Sequence, residues 1–514
     1  MLRRIDIVMR YSLVILLHHT FQSNIKAKKH YTYSNALLER RIRELEEKRI
    51  LDQMDKLFST IKTHKIYSFY YAGILLGISM VFLHFPLIPL DDDPTFMAIA
   101  RDENLFQWLA LRYSVWTSRL IIESVLWLVA KNFLVWKLLN ISLIMILYFF
   151  LCKLLIIDKQ DGKNYWIIAF GILIYPFIHM GSAGYMATTI NSLWPVVFAV
   201  IACYGMKKAI SHKRIRIWEY PVYFCSLLYA SNAEAMNAFL FGLTAYLFIR
   251  YIVEHKKLNY YLVAQLLIVV SMLIFILTCP GNANRSNVQT TLMYPQFVDY
   301  GFFTMFLNGY ISTLAHFIAR PNIVFPIFCV LLYSNIHFMY DRKLYRIIAL
   351  TPFIIFVLSL FANIIVSYDS RILVWGFSLL NIFSGVVLIT TENYTNVYAY
   401  IPIVVYSICL SAVLISIYLC FMKNKQNALF FVYLFLLGFG TRVIIGFTPT
   451  LWFSAFRTFI IFYFVLIYFI ILFYQKLMEF EFKHKNIIFY CFAFSGIVSV
   501  AASFLLNHFI GNKY

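Results

Sequence analysis

The chain has 514 residues, 61% of them hydrophobic and only 13% charged, with a mean hydropathy of +0.74. Soluble domains carry roughly 25% charged residues, so this chain has too few polar side chains to cover a water-facing surface, and a soluble fold is excluded. The formal net charge of +20 sits in short clusters between apolar runs rather than on one folded basic surface, which argues against nucleic acid as a partner.

The first 65 residues differ from the rest. Residues 11–17 are apolar, flanked by Arg10 and by His18-His19, and are too short to span a bilayer. No small-residue cleavage site follows, so they make a poor signal peptide. Over 34–65, Leu38, Ile42 and Leu45, then Ile50, Met54, Leu57 and Ile61, fall at spacings of three and four, which predicts an amphipathic helix with a phase break near residue 48. It reads as a basic cytoplasmic helix lying on the anionic inner leaflet, with a partner-binding coiled coil as the alternative.

From about residue 66 to the C-terminus, apolar runs recur at the roughly 20 residues that a spanning helix needs. In lipid each backbone polar group must be paired within its own segment. Runs such as Ile141–Leu151 are apolar all round, without the alternation of an outer-membrane barrel. The fold class expected is therefore an all-α, polytopic helical membrane protein. All eight cysteines fall in or at the ends of apolar runs and read as small hydrophobes; no spacing suggests a metal site or a disulfide framework.

Basic clusters at Lys207-Lys208 with His212-Lys213-Arg214, at Lys256-Lys257, Arg342-Lys343, Lys423 with Lys425, and Lys483 with Lys485 mark the inner face. They place the N-terminus inside, the first span at about 66–86 and an outer segment at 87–118, ahead of the rest of a transmembrane domain running over 66–514. Two stretches, 119–157 and 372–420, each hold two apolar runs where the charge rule wants an odd number of crossings, so one run of each pair is expected to be interfacial or re-entrant. The total expected is roughly 11–14 spans.

The outer segments hold the informative polar residues. Asp91-Asp92-Asp93 follows the first span almost at once. Carboxylates crowded at an apolar boundary suit a general base or a divalent-cation ligand. The other reading is an acidic turn capping a helix at 94–100. Next, Trp108, Arg112, Trp116, Arg119, Glu123 and Trp127 recur every three or four residues, which on one helix makes a stripe of aromatic and charged groups. Its arginines suit a lipid phosphate; alternatively Arg119 and Glu123 pair at i,i+4 and the tryptophans are belt anchors. Farther along come Trp194 after Asn191, Ser231-Asn232-Ala233-Glu234, Pro280-Gly281-Asn282 with Arg285, Tyr368-Asp369-Ser370-Arg371, and Thr448-Pro449-Thr450 with Arg457. Together they put acids, arginines and aromatics on one face.

An acidic start after the first span, a helical outer segment and outer-face arginines resemble GT-C glycosyltransferases. More narrowly, the chain is similar to a poorly characterised bacterial multi-pass group in Asp92-Asp93, Trp116-Thr117-Ser118-Arg119, Asn232 with Glu234, and Pro280-Gly281-Asn282 with Arg285, in that order across about 66–460. The resemblance implies a GT-C-like fold and an inverting transfer of a sugar from a polyprenyl-phosphate donor to a cell-envelope glycan acceptor, on the outer face of a bacterial cytoplasmic membrane. It implies that one of Asp91, Asp92 or Asp93, first of all Asp92, takes the acceptor proton, and that Arg112, Arg119 and Arg285 meet the leaving lipid phosphate. Glu234, with Asn232 and Asn282, would orient hydroxyls, and Trp116 or Trp194 would stack on a sugar ring. No cofactor is required by the sequence, although the Asp triplet leaves room for a divalent cation. The rivals are a polysaccharide polymerase or ligase, and a lipid-linked sugar flippase or transporter. The latter would show internal repeats, and none is visible by eye.

Overall fold

The structure is a computed structural model that describes residues 65–156, 161–368, 389–451, 453–454, 456–482 and 485–511. Apart from Lys65, the N-terminal amphipathic region lies outside the described residues, as do Asp369, Ser370 and Arg371.

Among the described residues regular structure is helical throughout. Helix α1 (Lys65–His84) leads to two helices of the outer segment, α2 (Asp92–Asp102) and α3 (Leu105–Val115), then to α4 (Leu120–Ala130) and α5 (Phe133–Leu155). There follow α6 (Lys163–Leu173), α7 (Tyr185–Ile210), α8 (Glu219–Ser231), α9 (Glu234–His255), α10 (Tyr260–Thr278) and α11 (Pro280–Met293). The C-terminal part holds α12 (Phe302–Ile318), α13 (Val324–Met339), α14 (Lys343–Tyr368), α15 (Ile401–Phe421), α16 (Lys425–Val443), α17 (Ile460–Leu477) and α18 (Lys485–Gly511). The chain is an all-α, multi-pass membrane protein. Ten of the described helical segments are long and apolar enough to cross a bilayer, and α4, α12 and α13 are shorter apolar helices.

The first parity problem has a structural answer. Helix α4 has 11 residues, about 16 Å of axis, roughly half of a 30 Å hydrocarbon core. It leaves α5 as the only full-length apolar helix of that stretch. In the second stretch α15 is long enough to span, and residues 372–388 lie outside the described residues.

The core forms around α7 and α17, which are more fully enclosed by their neighbours than the other spanning helices among the described residues. Helix α17 buries Phe462, Leu466, Phe469, Ile470 and Phe473, and α7 buries Trp194, Val197 and Ala202. Peripheral helices instead turn Ile78, Leu267 and Leu277 outward, as a lipid-facing surface requires.

The two ends of the bundle carry different chemistry. At one end Lys207 Nζ donates to the carbonyls of Lys153 and Leu154, Lys208 pairs with Glu219 at 2.6 Å, and Arg250 donates to Asn427. At the other end, His84 and Asn140 join at 2.7 Å, and the Asn140 carbonyl accepts from the Trp194 indole at 2.8 Å. The segment 87–118 sits at this second end, tied down where α11 begins. A Cβ on Gly281 would stand 2.6 Å from both Trp116 N and Tyr113 O, so only glycine lets α11 pack against the end of α3. Gly281→Val is therefore expected to lower stability in detergent by about 1–3 kcal/mol, read by thermal or denaturant unfolding; an unchanged midpoint would show that the two segments separate freely.

Candidate functional site

The site begins with backbone geometry at Asp91, whose φ of 49° and ψ of −109° lie where side-chain-bearing residues rarely go. This twist sends three consecutive carboxylates to different places. Asp91 and Asp92 are exposed and Asp93 is fully buried. Asp93 accepts four backbone N–H groups: Tyr185 at 2.8 Å, Met186 and Ala187 at 3.0 Å each, and Leu90 at 3.4 Å. Three of these are first-turn donors of α7, which no intrahelical carbonyl can satisfy. Asp93 is thus a helix cap supplied from a distant segment. Gly184, at φ 84°, makes the approach feasible, since a Cβ there would lie 2.5 Å from Asp93 Oδ1. Burial pushes the Asp93 carboxyl up to about 6, and the amides pull it the other way.

This arrangement corrects one expectation. Asp93 has both oxygens engaged and no access to a substrate, so it serves as a cap rather than as a base. Among the described residues no group of three or more His, Cys, Asp or Glu could hold a metal ion. Asp92 remains the exposed carboxylate, together with its strained neighbour Asp91. Partial burial raises the Asp92 carboxyl above its usual range, and the Arg457 charge opposes that rise.

The aromatic–charged stripe also changes. It does not run along one helix, because α3 ends at Val115, Trp116 caps it, and α4 starts only at Leu120. Two asparagines take up the polar backbone of the break. Asn282 accepts from Ser118 N at 3.3 Å and donates to Ser118 Oγ at 3.0 Å. Asn232 donates to Ser118 O and accepts from Ile122 N, both at 3.1 Å. Asn232 is 1% exposed, so these residues brace the break and Asn232 does not face a ligand. With the chain broken there, Arg112 folds back to Glu123 at 2.7 Å, its guanidinium 5.0 Å from the Trp108 ring and 5.7 Å from the Trp116 ring. The i,i+4 pair of Arg119 with Glu123 does not form.

Arg119 reaches elsewhere. Its Nε donates to Glu234 Oε2 at 2.5 Å, and its Nη1 donates to Asn191 Oδ1 at 3.3 Å. Arg285, from α11, donates to the other Glu234 oxygen at 3.2 Å. One carboxylate therefore joins the start of α4, the start of α9 and the first turns of α11. Asn191 lies in a π-helical turn, Thr189–Leu193, inside α7, a local widening that recurs at functional sites. All three clamp side chains keep 23–30% of their surface exposed, so a ligand can reach them. Trp194 cannot serve as a stacking platform: it is 3% exposed and holds Asn140. Trp116 stays half-exposed beside Arg112.

Arg457, just ahead of α17, completes the group. Its charge acts on Asp92, Arg119 and Arg285, and among the described residues it forms no ion pair. The sequence showed Arg457 only as one more outer-segment arginine; its approach to Asp92 is a tertiary fact without a local signal. Three cations, Arg119, Arg285 and Arg457, thus stand with the carboxylates Glu234, Asp92 and Asp91. A half-buried group of arginines beside an exposed carboxylate suits an anionic group next to a proton acceptor.

The division between the aspartates can be measured. Asp93→Ala leaves α7 amides unpaired and is expected to cost about 1–3 kcal/mol of stability, whereas Asp92→Asn should stay within about 0.5 kcal/mol of the parent; equal unfolding midpoints for the two variants would contradict the capping role. Comparison of the chain with family models, with curated proteins and with solved structures finds no match.

Proposed function

We propose that the chain is an inverting membrane glycosyltransferase of GT-C type that moves a sugar from a polyprenyl-phosphate donor to a hydroxyl of a cell-envelope glycan. The observation that carries this reading is the exposed Asp92 carboxylate within the field of Arg457, which itself stands in the field of Arg119 and Arg285. In the reaction, the acceptor oxygen attacks the anomeric carbon from the face opposite the phosphate. Its proton passes to Asp92, the bond from the sugar to the phosphate oxygen breaks, and the lipid phosphate leaves with that electron pair. Arg457, Arg119 and Arg285 offer guanidinium donors where that negative charge grows. Glu234 keeps two of them preorganised, and the half-exposed Trp116 offers a ring face to a sugar.

Arg112 has a different part. Held by Glu123 and two tryptophans, it shapes the wall of the site and leaves phosphate contact to the other three arginines. Lys207, Lys208 and Arg250 lie at the far end of the bundle, so the positive-inside tendency supports a site on the outer face of a bacterial cytoplasmic membrane, with the N-terminus inside. A divalent cation is not needed by this chemistry, because the arginines supply the positive charge.

Three results test the reading. Asp92→Asn is expected to lower the transfer rate by about 10²–10⁴-fold while the protein still inserts and binds donor; full activity would remove Asp92 as the base. A base must be ionised, and the Asp92 carboxyl is raised, so transfer should fall on the acid side at a higher pH than the ~3.9 of a free aspartate. A rate profile flat down to that value contradicts the assignment. Arg457→Gln should weaken donor binding about tenfold or more, the scale of one charge-assisted hydrogen bond, and leave acceptor affinity unchanged; a loss confined to acceptor binding would move Arg457 to the other substrate.

A further inference from the structure

A cavity of about 360 Å³ lies inside the bundle between α5, α7, α9, α16 and α17. Its lining runs along α7 from Val196 to Ile210, about 21 Å of axis. The walls are almost wholly apolar, with Ala199, Leu243 and Phe464 among them, and the one charged residue is Lys207. Lys207 sits at the end of the bundle remote from Asp92, its ammonium held by the carbonyls that finish α5.

Past Lys207 the character changes within one residue. A polar depression is lined by Lys208, Arg214, Arg216 and Glu219. Glu219 is committed to Lys208, with both carboxylate oxygens accepting, at 2.8 and 2.6 Å. Among the described residues no ion pair engages Lys213, Arg214 or Arg216, and all three are exposed. Directly beside them Ile217 is 88% and Trp218 60% exposed, the pairing of apolar and aromatic groups that sits at headgroup level in a bilayer. A long apolar cavity whose lining ends at Ser211, exposed arginines three and five residues farther along the chain, and an exposed tryptophan beside them match the parts of one amphiphile.

We propose that this cavity holds an acyl chain of an anionic phospholipid whose phosphate rests on Arg214 and Arg216. Arginine forks match phosphate oxygens two at a time, and the cavity replaces contacts among lipid tails with apolar protein walls. The site is separate from the proposed donor site, because its charged mouth lies at the opposite end of the bundle from Arg119, Arg285 and Arg457. It stands whether or not the chain transfers sugars.

The test uses the full chain, purified in detergent and stripped of lipid, with binding read by native mass spectrometry and folding checked by thermal melting. Phosphatidylglycerol should bind about tenfold more tightly than phosphatidylcholine with the same acyl chains, and inorganic phosphate should not compete. The double variant Arg214→Gln/Arg216→Gln should erase the preference between the two lipids. Ala199→Phe, which fills the channel, should weaken both; if it does not fold, Val200→Phe one position along the lining serves the same purpose. Equal binding of the two lipids, a preference that survives the arginine double variant, or displacement by inorganic phosphate would each overturn the proposal. So would channel-filling variants that reduce binding of a polyprenyl phosphate and leave phosphatidylglycerol untouched, since that outcome gives the channel to the donor tail.

Discussion

The Glu234 carboxylate holds Arg119 on one oxygen and Arg285 on the other, and the functional end of the molecule depends on that shared grip. Each arginine alone at a membrane boundary would bear a large desolvation cost, and two of them side by side would repel. Glu234 removes both problems while leaving a net positive pair facing outward. It also fixes three segments that are far apart in the chain: the start of α4, the start of α9 and the first turns of α11. If the clamp opened, the break between α3 and α4 would lose its orientation, and Arg112 with its two tryptophans would move with it.

Around the clamp, residues of the same chemical type take up opposite duties because of where the backbone aims them. Asp92 and Asp93 are adjacent, yet the twist at Asp91 leaves one in reach of solvent and buries the other on four amides. Arg112 is enclosed by Glu123, Trp108 and Trp116, whereas among the described residues Arg457 forms no ion pair. The rigid members, Asp93, Asn232, Asn282 and Gly281, set the geometry; Asp92, Arg457 and the outward edges of Arg119 and Arg285 are left free to meet a ligand. Such a division is what preorganisation requires, since a group already satisfied by its neighbours reorients little when charge develops nearby.

The scaffold was legible in the sequence because lipid imposes a simple rule, long apolar helices with charge at their ends, and composition reports that rule directly. Even the short α4 announced itself, as a surplus apolar run that the charge parity could not place. Part of the motif set was legible together: Arg119, Glu234 and Arg285 do meet at one end of the bundle, while Asp92 is linked to them through Arg457. Their partners were not. A spacing of three and four from Trp108 to Trp127 fits one helix, and nothing local reveals that Asn232 and Asn282, more than a hundred residues on, hold the chain open at Thr117-Ser118. The same blindness hid the Asp93 cap, the Trp194–Asn140 bond and the approach of Arg457, all of them contacts across long loops. Periodicity records which face a residue occupies; it does not record what the face packs against.

The most direct measurement compares the envelope glycans of cells that carry the gene, cells that lack it, and cells that carry it with Asp92→Asn. The account predicts that deletion and the single substitution remove the same sugar linkage, with glycan chain length unchanged and the Asp92→Asn protein present at normal levels in the membrane. A change in chain length at constant sugar composition would instead indicate polymerisation, and glycans unaltered in both strains would contradict sugar transfer altogether.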